Sequence, residues 1–234
     1  MIEKLGILWS PKFNYRKAAI FLSLICYLAS ISLVVCSCST EYWVVSGILD
    51  ENGLPIRDSG INSGLLSGMR KIDWGLGMRY MPFSVFDEIQ SGVSFYNHVL
   101  WIFTLFFIAL GILWIIIGVV TALMSSFVAD EDSIVAGPIG IYLWSLLALL
   151  SLSGSCAIFY ILFQTSLQKN LLSPEQIHAG YTTQGLVRLG YSFYIMLGAI
   201  VALYFPPLLI FLSSDRGTRT SPRKAMIDPT ALLY

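Results

Sequence analysis

The sequence predicts an α-helical membrane protein: an antiparallel bundle of four transmembrane helices carrying a small extracellular β-sheet folded from the first outer loop. Three observations predict it. Four long runs, 18–38, 99–128, 139–163 and 189–213, contain no Asp, Glu, Lys, Arg or His, and each reaches the ~20 residues a helix needs to cross a hydrocarbon core of roughly 30 Å. A polar hairpin divides the second run from the third, with Asp130, Glu131 and Asp132 followed by the turn Gly137-Pro138-Ile139-Gly140. Basic residues gather at the two ends, where 1–17 and 214–234 hold eight of the fourteen Lys and Arg. Composition agrees: 56% of residues are hydrophobic, 12% are charged and the net charge is zero. That is a membrane-protein profile, and it offers no electrostatic basis for a nucleic-acid partner.

Orientation follows from the tails. Lys4, Lys12, Arg16 and Lys17 at one end and Arg216, Arg219, Arg223 and Lys224 at the other place both termini in the cytoplasm, as an even number of spans requires. The acidic hairpin, 129–138, shares that side, but acids count little toward orientation. A solvated hairpin is the commoner meaning of three adjacent acids, ahead of a divalent-ion site. The first run is too long for a removable signal, lacks a small-x-small cleavage site and continues through Cys36 and Cys38 to Trp43. All four cysteines, Cys26, Cys36, Cys38 and Cys156, fall in or at the ends of spans and read as small buried hydrophobes. Cys36 and Cys38, two apart on one helix, do not face each other, so no disulfide staple is indicated.

The first outer loop, 39–98, is too long for a bare connector. Tyr42-Trp43-Val44-Val45 is a strand signal, and Gly64-Leu65-Leu66-Ser67-Gly68, Ile72–Gly77 and Tyr80–Phe86 are further short β-like runs broken by glycine and proline. A small sheet resting on the bundle is expected, with Trp43 and Trp74 near its base as anchors rather than ligand contacts. Small residues mark bundle seams: Gly111 and Gly118 in the second span, Ser151, Ser153, Gly154 and Ser155 in the third, Gly190, Gly198 and Ala202 in the fourth. Pro206-Pro207 should kink the fourth span, as a fixed bend or a pivot. The second outer loop, 164–188, is shorter, and no Asn-x-Ser/Thr sequon occurs in the chain.

Reactive chemistry is not indicated. His98 and His178 stand apart without metal-ligand spacing, and no nucleophile elbow, phosphate loop or zinc-protease pair occurs. Spans without ionisable residues disfavour a pump, a proton-coupled transporter or an intramembrane enzyme. The expectation is a non-enzymatic scaffold or accessory subunit with no cofactor and no metal. Its basic tails serve as lipid-attracting patches or as topology signals alone. The terminal Leu232-Leu233-Tyr234 either adds a strand to a PDZ-type groove or is spare tail.

Four spans, both ends inside, a long first outer loop with an early Trp and a short cytoplasmic hairpin resemble the claudin-like tetraspan superfamily, and within it the clarins. Ala136–Leu146, with Gly137, Pro138, Gly140 and Trp144, resembles the clarin stretch Gly-Pro-x-Gly-(Ile/Val)-x-x-Trp-Asn that opens the third span. Gly64, Leu65 and Gly68 match the clarins' Gly-Leu-Phe-Arg-Gly. Gly190-Tyr191-Ser192-Phe193-Tyr194 resembles the Tyr-Ser-Phe-Trp that opens their fourth span, and Leu232-Leu233-Tyr234 resembles their Ile-Leu-Tyr terminus. The chain departs at Leu66, Ser67 and Ser145, and it lacks both the outer cysteine pair of claudins proper and the clarins' sequon. The resemblance implies a plasma-membrane organiser in sensory cells, supporting actin-based protrusions or synapses. Its implied partners are channel, adhesion or mechanotransduction proteins and cytoskeletal adaptors. An auxiliary channel subunit and a cell–cell barrier protein are the alternatives. On this reading Gly137, Pro138 and Gly140 set the tight turn into the third helix. Tyr142 and Trp144 anchor that helix at the inner interface.

Overall fold

The computed structural model of the chain describes residues 15–73, 75, 77–91, 96–127 and 138–220. Its four longest helical segments are α1 (Tyr15–Ser39), α3 (His98–Phe127), α4 (Pro138–Leu162) and the pair α6 (Tyr191–Ala202) and α7 (Phe205–Thr220), and all four are long and apolar enough to cross a membrane. α1 packs between α3 and α6–α7, and α4 closes the ring from the other side. Large apolar side chains stay exposed on every helix, among them Phe21, Phe106, Leu150 and Phe211. In water such faces would be a liability; against lipid they are neutral.

A five-stranded antiparallel sheet sits at one end of the bundle in the order β4-β3-β2-β1-β5. β1 (Val44–Leu49), β2 (Pro55–Ser63), β3 (Ser67–Asp73) and β4 (Met78–Ser84) come from 39–98, and a short helix, α2 (Val85–Gln90), follows β4. The two-residue β5 (Arg188–Leu189) comes from the second loop and pairs with Val45 and Val44. The expectation of a sheet from the first loop alone is therefore corrected: the second loop supplies an edge strand. Period-two alternation turns Val44, Ser46, Ile48, Ile61, Ser63, Arg70 and Ile72 inward. Buried residues of the second loop, including Leu171, Leu172, Gln176 and Thr183, complete the core.

Other boundaries also shift. Gly64–Leu66, read as part of a strand, is the turn between β2 and β3, closed by the Gly64 N–H on the Ser67 carbonyl at 2.8 Å. The third span runs beyond 163 as a π-helical turn, Phe163–Leu167, and a second short helix, α5 (Pro174–His178), begins after a Ser173/Gln176 capping box. The fourth span is interrupted between Ala202 and Phe205, where Pro206 and Pro207 cannot donate to the preceding turn. Pro138 is the first residue of α4, a position that costs proline nothing, and Gly140 lies buried inside the helix rather than in a turn before it. Gly137, Trp74, the acids 130–132 and Leu232–Tyr234 lie outside the described residues.

The small-residue seams divide. A Cβ on Gly111 would lie 2.5 Å from Leu152 of α4, and one on Gly118 would lie 2.8 Å from the Tyr27 ring of α1, so both are close-approach positions. Gly198 is exposed with nothing within 4 Å, and Ser153 is exposed too. Neither belongs to a seam, because spacing by whole turns does not say which face a neighbour covers. The cysteines are all free; Cys156 is buried, Cys26 and Cys38 are half-buried, and Cys36 is exposed, against the expectation of burial.

Candidate functional site

The sheet meets the bundle at one corner, and Trp43 is its centre. The indole is fully buried, and a buried N–H needs an acceptor. It finds the Ser37 carbonyl at 2.8 Å, in the last turn of α1. Phe159 of α4 and Phe193 of α6 meet the ring edge-on at centroid distances of 4.6 and 5.9 Å. The Trp43 backbone donates to Ser63 of β2 at 3.0 Å and accepts from Gly190 at 2.8 Å. One residue thus touches α1, β2, α4 and the start of α6.

Around it the Gly190–Phe193 stretch closes the corner. The Ser192 N–H donates to the Tyr42 carbonyl at 3.1 Å, the Ser37 hydroxyl donates to the Ser192 carbonyl at 2.7 Å, and the Thr40 hydroxyl donates to the Ser192 hydroxyl at 2.6 Å. Tyr191 stacks on Tyr42 at 4.9 Å. Gly190 has an ordinary extended backbone, φ −90° and ψ 174°, so conformation does not demand glycine there. Proximity does: a Cβ would lie 2.0 Å from the Tyr42 carbonyl oxygen.

The Gly64–Gly68 stretch seals the next side. A Cβ on Gly64 would lie 2.7 Å from the Thr40 carbonyl oxygen, and one on Gly68 would lie 2.4 Å from the Phe83 ring and 2.6 Å from the Asn62 carbonyl. Leu65 is buried, and its carbonyl accepts the Trp101 indole N–H of α3 at 2.9 Å. The Ser67 hydroxyl donates to the Glu41 carboxylate at 2.6 Å. Ser63 and Tyr96 hydroxyls are hydrogen-bonded beneath the turn. Burial pushes the Tyr96 phenol up to about 12. On the inward face of β3, Arg70 pairs with both oxygens of Glu88 at 2.5 and 2.8 Å, donates to the Leu171 carbonyl at 3.2 Å and lies 4.2 Å over Phe83.

A second feature, not singled out in the sequence, runs down α1. Ser30 and Ser37, seven residues apart, are joined by Ser23 another seven away, and all three are fully buried. Ser37 reaches the Ser192 carbonyl and Ser30 the Ala199 carbonyl at 3.0 Å, while the Ser23 hydroxyl donates to the Ala19 carbonyl of its own helix at 2.8 Å and lies 3.5 Å from the Pro206 carbonyl. The residues they face are also seven apart, rising in number as the serines fall, so α1 and α6–α7 run antiparallel with a small hydroxyl facing the partner helix every two turns. Between them Tyr27 donates its hydroxyl to the Ile141 carbonyl at 3.0 Å and hydrogen-bonds Ser145 at 2.6 Å, fastening α1 to α4. The signal was available: an uninterrupted Ser-x6-Ser-x6-Ser spacing in an uncharged span.

Of the residues marked in the sequence, Trp43, Gly64, Leu65, Gly68, Tyr191, Ser192 and Phe193 therefore come together. Gly140, Tyr142 and Trp144 do not; they lie in the first two turns of α4, at the bundle's other end. There Trp144 stacks on Trp114 of α3 at 5.7 Å, so it joins two helices, and Tyr142 is half-buried. Ser145, where the clarin motif has Asn, is Tyr27's partner. Among the described residues no three His, Cys, Asp or Glu side chains gather as a metal site, with His98 opening α3 and His178 ending α5. What the corner can do is mechanical: it fixes the sheet's orientation on the helices. No protein-family model and no curated protein matches the chain.

Proposed function

We propose that this is a non-enzymatic tetraspan organiser of the plasma membrane, claudin-like in fold and clarin-like in its motifs, which presents its sheet to partner membrane proteins. The observation that carries the reading is the convergence of Gly64–Gly68 and Gly190–Phe193 on Trp43. Two separate stretches of the resemblance meet at a joint between sheet and bundle, as a rigid presenting platform requires. Both termini face the cytoplasm in this reading, with the sheet outside. The basic tails engage anionic lipid or adaptors, and the terminal Leu232-Leu233-Tyr234 offers a strand to a PDZ-type domain.

The test is co-purification of the tagged full-length chain from its native tissue in mild detergent, with mass spectrometry of what accompanies it. Adhesion proteins and actin adaptors are the expected companions. A channel or mechanotransduction subunit at near-stoichiometric yield would replace the organiser by an accessory subunit. Recovery of a homopolymer alone would replace it by a barrier protein.

A further inference from the structure

Two large apolar side chains beside the sheet stand exposed next to buried neighbours. Leu66 is 56% exposed beside Leu65 at 1%, and Phe86 is 57% exposed beside Val85 at 0%. They belong to one patch, because the Val85 N–H donates to the Leu66 carbonyl at 3.0 Å and the Phe86 ring lies 6.4 Å from that of Trp101. We propose that this patch is a membrane foot: Phe86 and Leu66 sit in the lipid leaflet on the sheet's side and fix the tilt of the sheet against the bilayer. The proposal rests on the four-span reading.

Level and continuity both point to lipid. α3 has 30 residues, about 45 Å at 1.5 Å per residue, so about 7 Å overhangs a centred ~30 Å core at each end. Trp101 is the fourth residue of α3, about 4.5 Å from its start, and so lies close to the headgroup–hydrocarbon boundary. Tryptophan and other amphipathic rings collect at that level. Trp101 holds the Leu65 carbonyl and faces Phe86, so it brings the patch to the same level. Beside and below it the exposed face of α3 runs without a polar break from Val99 through Ile102, Phe103 and Phe106. A cleft of about 340 Å³ between α2 and α3, lined by Phe86, Ile89, Gln90 and His98, opens beside the patch. The rest of α2 is suited to the boundary: Asp87 and Gln90 are exposed, and Glu88 is turned to Arg70. A short helix with one apolar edge against the core, one toward lipid and a polar remainder is an interfacial element. Continuity with the apolar face of α3 favours lipid over a second copy of the chain.

Single-cysteine variants test this in a background with Cys26, Cys36, Cys38 and Cys156 replaced by alanine. F86C and L66C carry an environment-sensitive fluorophore, with F106C on the exposed face of α3 and L54C at the β1–β2 tip as references, all in phosphatidylcholine vesicles. Quenching by a nitroxide-bearing phosphatidylcholine is compared with quenching by aqueous iodide. The expected result is that labels at 86 and 66 are quenched by the lipid probe as at 106, with iodide constants several-fold below that at 54. Labels at 86 and 66 that follow 54 while 106 follows the lipid would overturn the foot and leave the four-span reading standing. Shielding from both quenchers, with label-to-label energy transfer that falls on dilution with unlabelled chain, would assign the patch to a second copy and also overturn it. Failure of the lipid probe at 106 would instead overturn the four-span reading itself.

Discussion

Replacing Gly190 by alanine adds one methyl group and should cost several kcal/mol. The new Cβ would lie 2.0 Å from the Tyr42 carbonyl oxygen and 2.7 Å from its carbon, both backbone atoms, with Val45 at 3.0 Å. Relief requires the α1–β1 corner to move by about 1 Å, since carbon and oxygen do not approach closer than roughly 3 Å. That movement opens two hydrogen bonds, Gly190 to Trp43 at 2.8 Å and Ser192 to Tyr42 at 3.1 Å. Two net hydrogen bonds at ~1 kcal/mol each and ~1–3 kcal/mol of overpacking give roughly 3–5 kcal/mol. For a chain of this size that corresponds to a drop of about 10 °C in melting temperature. The assay is a melt in detergent followed by tryptophan emission, beside surface biotinylation in cells. Gly198→Ala on the same helix is the control: nothing lies within 4 Å, so it should be neutral or gain up to ~1 kcal/mol from helix propensity. A Gly190→Ala melt indistinguishable from that of Gly198→Ala would refute the reasoning, because it would mean that the corner yields without cost.

Other perturbations separate the remaining contacts. Ser30→Ala should cost only about 0.6 kcal/mol, the ordinary worth of a hydrogen bond between membrane helices, and the Ser30/Ser37 double roughly 1 kcal/mol if the sites add, both read from denaturation in detergent. Arg70→Met should cost ~3–5 kcal/mol by stranding Glu88, and Arg70→Met with Glu88→Leu should recover most of it; melting of these two variants and of Glu88→Leu alone checks the cycle. Tyr96 is held neutral by burial, its pKa raised from 10 to about 12. Its contribution to stability is therefore intact below pH 10 and lost as pH rises from about 10 through about 12. A melting series over that range should be flatter for Tyr96→Phe than for the parent.

The four long helices were legible because each is an uncharged run of about twenty residues or more, which stands out whatever packs where. The fourth-span break was legible because Pro206 and Pro207 lack a donor. β2 was not: Arg57 and Asp58 are exposed, Ser59 is polar and bonded to the Asp73 N–H, and Arg57–Gly60 leaves no apolar run to read. β5 is two residues long and is a strand only because Val44 and Val45 lie beside it. Trp43 was legible as an anchor, but its company was not, since Phe159 and Phe193 are over a hundred residues away and no local pattern encodes that meeting. The glycines show the same limit. Gly190 and Gly198 look alike on a helical repeat, yet one touches backbone and the other open space.

The central claim is that sheet and bundle form one rigid body around Trp43. Hydrogen–deuterium exchange of the full chain in lipid nanodiscs tests it most directly. Amides of Trp43–Ile48, Ile61–Ser63 and Gly190–Phe193 should exchange as slowly as those in the middle of α1 and α4, and Trp43→Ala should release all three stretches together. Rapid exchange in β1 and β2 of the parent, with the helices still protected, would contradict it and describe a sheet only tethered to its bundle.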